Sequence, residues 1–430
     1  MDKETLKYVL TQTTTRELPQ PVARVLRLPT NSRKIVTLVG IRRSGKTYLF
    51  YETMRRLESE GVDRRQILHL NFEDDRLFPI QTEELDLILR AHEELYPAFS
   101  GRKKYIFLDE VQNAPGWEAF LRRLHDTEDV HLFVTGSSSH LLSRDIATGL
   151  RGRSIPFEVF PLSFPEFLAF RGLKHEPYSR TSEGRMAAAL EDYLRIGGLP
   201  EIVLAEQSLR LRILKEYVDL VFYKDLVERY SVSNPHVLRM LLKHCLGRPA
   251  STLSVHKLYN DFRSQGLELS KDTLYRYLGH LEESFLIFPI PVAERSLRKQ
   301  TANPKKLHSV DWALAYPFVP EGNVDIGKKL ETAVFLHWRR TREDLAYLAG
   351  TEHEIDLVLN GDRPESFINV AWSVTARETW DREISALSWA GPRAPAAQRL
   401  LVAHERAARS TPKGIKVVPA WQYLLGQGAA

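Results

Sequence analysis

A chain of 430 residues, 43% hydrophobic and 27% charged, can bury a sizeable core and calls for two or three domains. Its one cysteine, Cys245, excludes an internal disulfide and a cysteine-based zinc site, and suits a reducing, cytoplasmic setting. No apolar run reaches the ~18 residues of a membrane helix, Met1–Lys7 has no leader-like apolar stretch, and a net charge of +5 does not by itself point to nucleic acid.

Residues 1–33 read as a leading segment, with a short amphipathic helix expected at Val22–Leu28. Lys34–Val39 then reads as a buried strand. Gly40-Ile-Arg-Arg-Ser-Gly-Lys-Thr47 follows, the spacing G-x-x-x-x-G-K-T, and Tyr48–Leu57 has apolar residues at helical spacing. Strand, glycine-rich loop and helix together specify a phosphate cradle. Gly40 and Gly45 allow turns that a side chain would block, and successive N–H groups converge with the positive end of the helix. Lys46 would reach the β- and γ-phosphates and the Thr47 hydroxyl would ligate Mg²⁺. Arg43, Ser44 and Tyr48 belong to the same expected ATP-binding surface.

Gln66–Phe72 is a second expected strand, stopped by Glu73-Asp74-Asp75, and Thr82–Leu95 an expected helix. Lys104-Tyr-Ile-Phe-Leu-Asp109-Glu110 is an apolar strand that delivers two acids at its carboxyl end, 63 residues after Lys46. In an open α/β sheet that end lies beside the P-loop. Asp109 is expected to hold Mg²⁺, and Glu110 to polarise the attacking water. Val130–Gly136 is another strand. A hydroxyl after it, at Ser137, would contact the terminal phosphate or orient water; helix capping is the other reading. Arg153, in Leu150-Arg-Gly-Arg153, is a candidate arginine finger acting on a neighbouring subunit, against a plain solvated arginine. His69, on an apolar strand, reads as a core residue.

From these stretches onward the sequence resembles the bacterial and archaeal AAA-type ATPases that join an N-terminal P-loop domain to a C-terminal domain of unassigned function. The resemblance is carried by GIRRSGKT, LNFEDDRL, YIFLDEVQNAPGWEAFLRRL, VTGSSSHLLS, LRGR and PLSFPEFLAF, then by YLRIGGLPEIVL, VDWALA, LETAVFLHWRR, EIDLVL and INVAWSV. It implies a doubly wound α/β core with a helical lid, binding of ATP with Mg²⁺, and a homo-oligomer. Lys46, Thr47, Asp109 and Glu110 match the family's nucleotide positions, with Ser137 and Arg153 as sensor and finger. Gly197-Gly-Leu-Pro200 resembles a lid turn in which Pro200 packs on adenine; a glycine helix cap followed by proline is the alternative.

The expected domains are a P-loop core at 1–160, a helical lid at 161–233, a winged helix at 234–310 and a small endonuclease-like α/β domain at 311–430. Helices are expected at Pro235–Leu246, Val255–Arg263 and Lys271–Ser284, with Ser254 and Ser270 as N-caps. The 234–310 stretch carries 12 Lys/Arg against 6 Asp/Glu. That excess makes Arg295, Arg298, Lys299, Lys305 and Lys306 candidate DNA-phosphate contacts, while docking of a protein partner stands as an equal alternative. Glu331, Asp356 and the next strand resemble a restriction-endonuclease site. Metal-assisted hydrolysis of that kind needs Glu-x-Lys on the second strand, where this chain has Asn369-Val-Ala371. The last domain is therefore expected to be a scaffold and not a nuclease. The expected function is Mg-dependent ATP hydrolysis that moves a C-terminal binding half, either in DNA remodelling or as a nucleotide-gated protein-interaction switch.

Overall fold

The computed structural model describes residues 2–136, 149–294, 296, 298, 300, 303–405 and 409–427. The chain forms two compact units, Met1–Phe160 and Pro161–Ala430. No helix among the described residues is long and apolar enough to cross a membrane.

The first unit is built on five parallel strands: β1 (Ile35–Val39), β2 (Ile67–Asn71), β3 (Lys104–Asp109), β4 (Val130–Thr135) and β5 (Ser154–Glu158). Their order is β2-β3-β4-β1-β5. All five residues of β1 are buried, as an apolar central parallel strand requires. Helix α2 (Lys46–Ser59) packs through Phe50, edge-on to Phe107 of β3 at 5.1 Å and Phe133 of β4 at 6.4 Å, and those two rings stack at 4.3 Å. Burying each phenyl ring contributes about 1.5–3 kcal/mol.

The leading segment departs from expectation. A helix forms earlier, α1 (Lys3–Thr15), capped by the Asp2 carboxylate and buried through Leu6, Val9 and Leu10. It packs on β2 and on α3 (Leu87–Leu95). Val22–Leu28 is not helical. Its residues are claimed singly by tertiary contacts: Leu28 enters the core, and the Arg24 guanidinium donates to the carbonyls of Ser44 at 2.9 Å and Phe160 at 2.7 Å.

The second unit begins with helices Phe164–Phe170, Arg180–Ile196, Pro200–Leu204 and Gln207–Leu220, the last running on into a π-helical stretch, Val221–Glu228. Strands β6 (Ser251–Leu253), β7 (Ile287–Ile290) and β8 (Lys305–Ser309) make an antiparallel sheet with β8 in the middle. With it go helices Pro235–Gly247, Val255–Ser264 and Lys271–Glu283, capped by the side chains of Asn234, Ser254 and Ser270. A mixed sheet follows: β9 (Leu345–Ala349), β10 (Glu354–Leu359), β11 (Ser366–Ala371), β12 (Gln398–Ala403) and β13 (Lys416–Pro419), in chain order across the sheet. β9 to β11 are antiparallel and β11 to β13 parallel. Helices Ile326–Arg339 and Arg377–Ala390 pack on β11.

Candidate nucleotide site and a buried ionic cage

The loop between β1 and α2 turns at two glycines with positive φ. Gly40 has φ +130°, and a Cβ there would lie 2.4 Å from the Val159 carbonyl oxygen. Gly45 has φ +98° at the start of α2. Lys46 is buried, and its ammonium donates to the carbonyls of Gly40 at 3.0 Å and Ile41 at 2.9 Å. Ser44 is fully buried, while Arg43 and Tyr48 are exposed beside the loop.

β3 brings its terminal acid to the same place. The Thr47 hydroxyl donates to Asp109 Oδ2 at 2.5 Å, and the Thr135 hydroxyl, at the end of β4, donates to Asp109 Oδ1. Burial pushes the Asp109 proton affinity up, against those two hydrogen bonds, so a cation is a favourable addition there. Among the described residues no three His, Cys, Asp or Glu are arranged to hold a metal on their own. One carboxylate and one hydroxyl suit Mg²⁺, which takes its remaining ligands from phosphate oxygens and water. Glu110 follows in the left-handed region, φ +51°, with its carboxylate accepting from Gln112 Nε2 at 2.6 Å. A non-glycine residue held there stores strain of the kind that collects at functional sites. Beyond β2, Glu73 pairs with Arg42 of the loop at 3.7 Å.

Thr135 is the residue that the sequence reading missed. It accepts from the Glu110 backbone N–H at 3.1 Å, so it links both acids. Its signal was a polar residue ending an apolar strand, two positions before Ser137, which lies outside the described residues. Arg153 precedes β5, whose Ser154 is paired with Ile35 at the start of β1. That places it at the amino end of the sheet, roughly 16 Å of strand away from the P-loop. Its guanidinium is held by both Asp126 oxygens at 2.9 Å. It therefore cannot serve the site of its own chain.

Pro200 opens a short helix in the second unit. The two glycines before it serve a buried acid: Gly198 N–H donates to Asp311 Oδ2 at 2.7 Å, and Ala313 N–H to Oδ1 at 2.8 Å. A Cβ on Gly197 would lie 2.4 Å from Asp311 Oδ1, and one on Gly198 2.6 Å from the Leu162 carbonyl oxygen. The GGLP and VDWALA stretches thus explain each other by packing.

Among the expected DNA contacts, Arg298 and Lys305 are exposed, and Arg295 and Lys299 lie outside the described residues. Lys306 corrects the expectation. It is 1% exposed, and its ammonium donates to Glu354 at 2.7 Å and Asp356 at 2.9 Å and pairs with Glu331. Burial alone would lower its proton affinity, but these carboxylates hold it well above the usual lysine value. Turning it to a phosphate would strand the carboxylates. Burial, then the Asp356 charge, pushes Glu331 up to about 7. Asn369 accepts from Asp356 N–H at 3.3 Å and donates to Glu383 at 2.7 Å, bracing the cage. A cavity of about 710 Å³ opens beside it, lined by Lys328, Glu331, Asp356, Arg382 and Glu383 among others.

A family model described as an AAA domain matches residues 32–168, and one described as a domain of unknown function matches 187–321. An uncharacterized protein of Methanocaldococcus jannaschii is 33% identical over 362 residues, covering 82% of this chain and 78% of that protein. An uncharacterized protein of Haemophilus influenzae is 26% identical over 342 residues, covering 79% and 83%. Among solved structures, a Walker-type ATPase of Pyrococcus abyssi aligns with 14% identity and a TM-score of 0.42, over 74% of this chain and 95% of that one.

Proposed function

The chain belongs to one family with the uncharacterized M. jannaschii protein and carries an AAA domain, and on that premise we propose that it is a Mg-dependent ATPase whose nucleotide state moves its C-terminal half. One observation carries this: the Thr47 hydroxyl and the Asp109 carboxylate meet at 2.5 Å in front of a loop whose lysine donates to two backbone carbonyls. Mg²⁺ held there would neutralise phosphate charge. Lys46 leaves two neutral acceptors for the phosphates. The Thr135 hydroxyl favours the ionised form of Asp109, against its burial, and accepts from the backbone N–H of Glu110. Glu110 takes a proton from water as the water oxygen bonds to the γ-phosphorus and the bond to the β,γ-bridging oxygen breaks, giving ADP and phosphate.

The three helices and antiparallel sheet of 235–309 have the order of a winged helix, which supports a DNA-remodelling output. The burial of Lys306, which removes one cation from the basic stretch, favours the second reading, a nucleotide-gated switch that holds a protein partner. ATP turnover by wild type and Glu110→Gln, with branched, duplex and single-stranded DNA at two salt concentrations, tests both. Wild-type turnover falling roughly 100-fold or more in the variant is expected. Stimulation by DNA that weakens with salt selects remodelling, and indifference to DNA selects the switch. No turnover under any condition overturns the ATPase. An oligomer in which Arg153 completes a neighbour's site is tested by mixing Lys46→Ala with Arg153→Ala subunits. Restored turnover supports it, and none removes Arg153 from the machinery.

A further inference from the structure

Removing Arg153 from the site of its own chain leaves a question of charge. In the transition state negative charge is spread over the outer oxygens of the γ-phosphoryl group and grows at the leaving bridge, and Lys46 is one cation among the several such sites use. A second cation stands on the loop itself. Arg42 is two residues past Gly40, on the loop arc whose carbonyls hold the Lys46 ammonium. Its guanidinium is directed by Glu73, 3.7 Å away, on the segment that leaves β2. That segment runs beside the acids: Asn71 is paired with Asp109, and the Phe72 N–H donates to the Asp109 carbonyl at 2.9 Å. After burial, the Glu110 charge is what most raises the Glu73 proton affinity, with Asp109 adding less, so Glu73 lies in the field of both. Arg42 therefore stands at the end of the loop where Glu110 and the attacking water belong, away from the helix end that receives the inner phosphates.

We propose that Arg42 is a catalytic residue that contacts the terminal phosphate of ATP within its own chain, and that Glu73 is the positioning residue that holds its guanidinium over the site. The assignment rests on the ATPase reading above. Its fork of donors matches two phosphate oxygens, which a lysine point charge at the same place matches less well. An in-chain cation of this kind acts without a second subunit, unlike a finger borrowed from a neighbour.

The test reads equilibrium binding as well as rate. Mg-ADP and a Mg-bound non-hydrolysable ATP analogue are titrated into wild type, Arg42→Ala, Arg42→Lys and Lys46→Ala. Arg42→Ala is expected to weaken the analogue roughly ten- to hundred-fold and leave ADP within about two-fold, because only the analogue carries the phosphate it touches. Arg42→Lys is expected to fall between. Retained ADP affinity shows that the Arg42 variants are folded, and an unchanged thermal midpoint shows it for Lys46→Ala. Glu73→Gln is expected to weaken the analogue and raise the KM for ATP by roughly a few-fold, the small effect of a half-exposed pair, with ADP affinity unchanged. Equal weakening of both ligands by Arg42→Ala, or weakening of neither, overturns the role of Arg42. Wild-type kinetics in Glu73→Gln removes Glu73 from positioning. If wild type binds neither ligand, the ATPase reading falls and this assignment with it; loss of both ligands in Lys46→Ala alone marks the nucleotide site as real.

Discussion

Each unit of this protein buries a lysine at the cluster described above, Lys46 in the first and Lys306 in the second, and the two are buried in opposite ways. Lys46 is 6% exposed and held by two backbone carbonyls; Lys306 is 1% exposed and held by three carboxylates. Neutral carbonyls satisfy the donors of an ammonium without cancelling its charge, so Lys46 keeps its attraction for an anion and gives up little to reach one. Carboxylates cancel the charge, and each would be left desolvated and unpaired if the lysine moved. A buried lysine is thus poised for a ligand or fixed as a strut according to what surrounds it, and the residue type alone does not say which.

The two lysines differ most in what their removal costs the fold. Lys306→Ala leaves the Glu331, Glu354 and Asp356 carboxylates around an absent cation and is expected to cost about 3–5 kcal/mol, read as the denaturant midpoint of the second unit. Lys46→Ala is expected to do the reverse, lowering ATP turnover by roughly 100- to 1,000-fold while the thermal midpoint barely moves. An equal loss of stability in both variants would erase the distinction.

Asp311 is a buried group of the opposite charge. It too is buried against backbone dipoles, here N–H groups, and burial pushes it up to about 6 from the ordinary 3.8. The folded state then binds a proton between those values that the unfolded chain has released. Stability from this group is complete below about pH 4 and is lost as pH rises through 6, by about 3 kcal/mol. Denaturation between pH 4 and 7 is expected to show that slope, and Asp311→Asn to flatten it. The variant also costs about 1–3 kcal/mol, since its amide nitrogen meets an N–H where an acceptor is needed. The smallest effect is expected at Thr135. Thr135→Val keeps the shape but removes the donor to Asp109 and the acceptor for the Glu110 N–H, costing about 1–3 kcal/mol and weakening Mg²⁺ binding in a metal titration.

What could be read in advance follows from range. The P-loop and the Asp109-Glu110 pair were legible because motif and flanking strand or helix lie within about a dozen residues of each other. The helices at Pro235–Gly247, Val255–Ser264 and Lys271–Glu283 were legible for the same reason, with Ser254 and Ser270 capping as their spacing suggested. Lys306 was misread because its partners are 25 to 50 positions away and a charge count cannot tell a buried cation from a solvated one. Val22–Leu28 was misread because contacts to Ser44 and Phe160 outweigh its local helical pattern. Thr135 went unnoticed because only sheet pairing sets it beside Asp109.

A fragment trimmed to begin at Lys34 would keep every nucleotide-site residue named here, yet it would lose α1 and Leu28. The apolar surface of β2 and α3 that Leu6, Val9 and Leu10 cover would then face water as a contiguous patch. Such a fragment is expected to come out of the cell insoluble, or to bind its own kind through that patch.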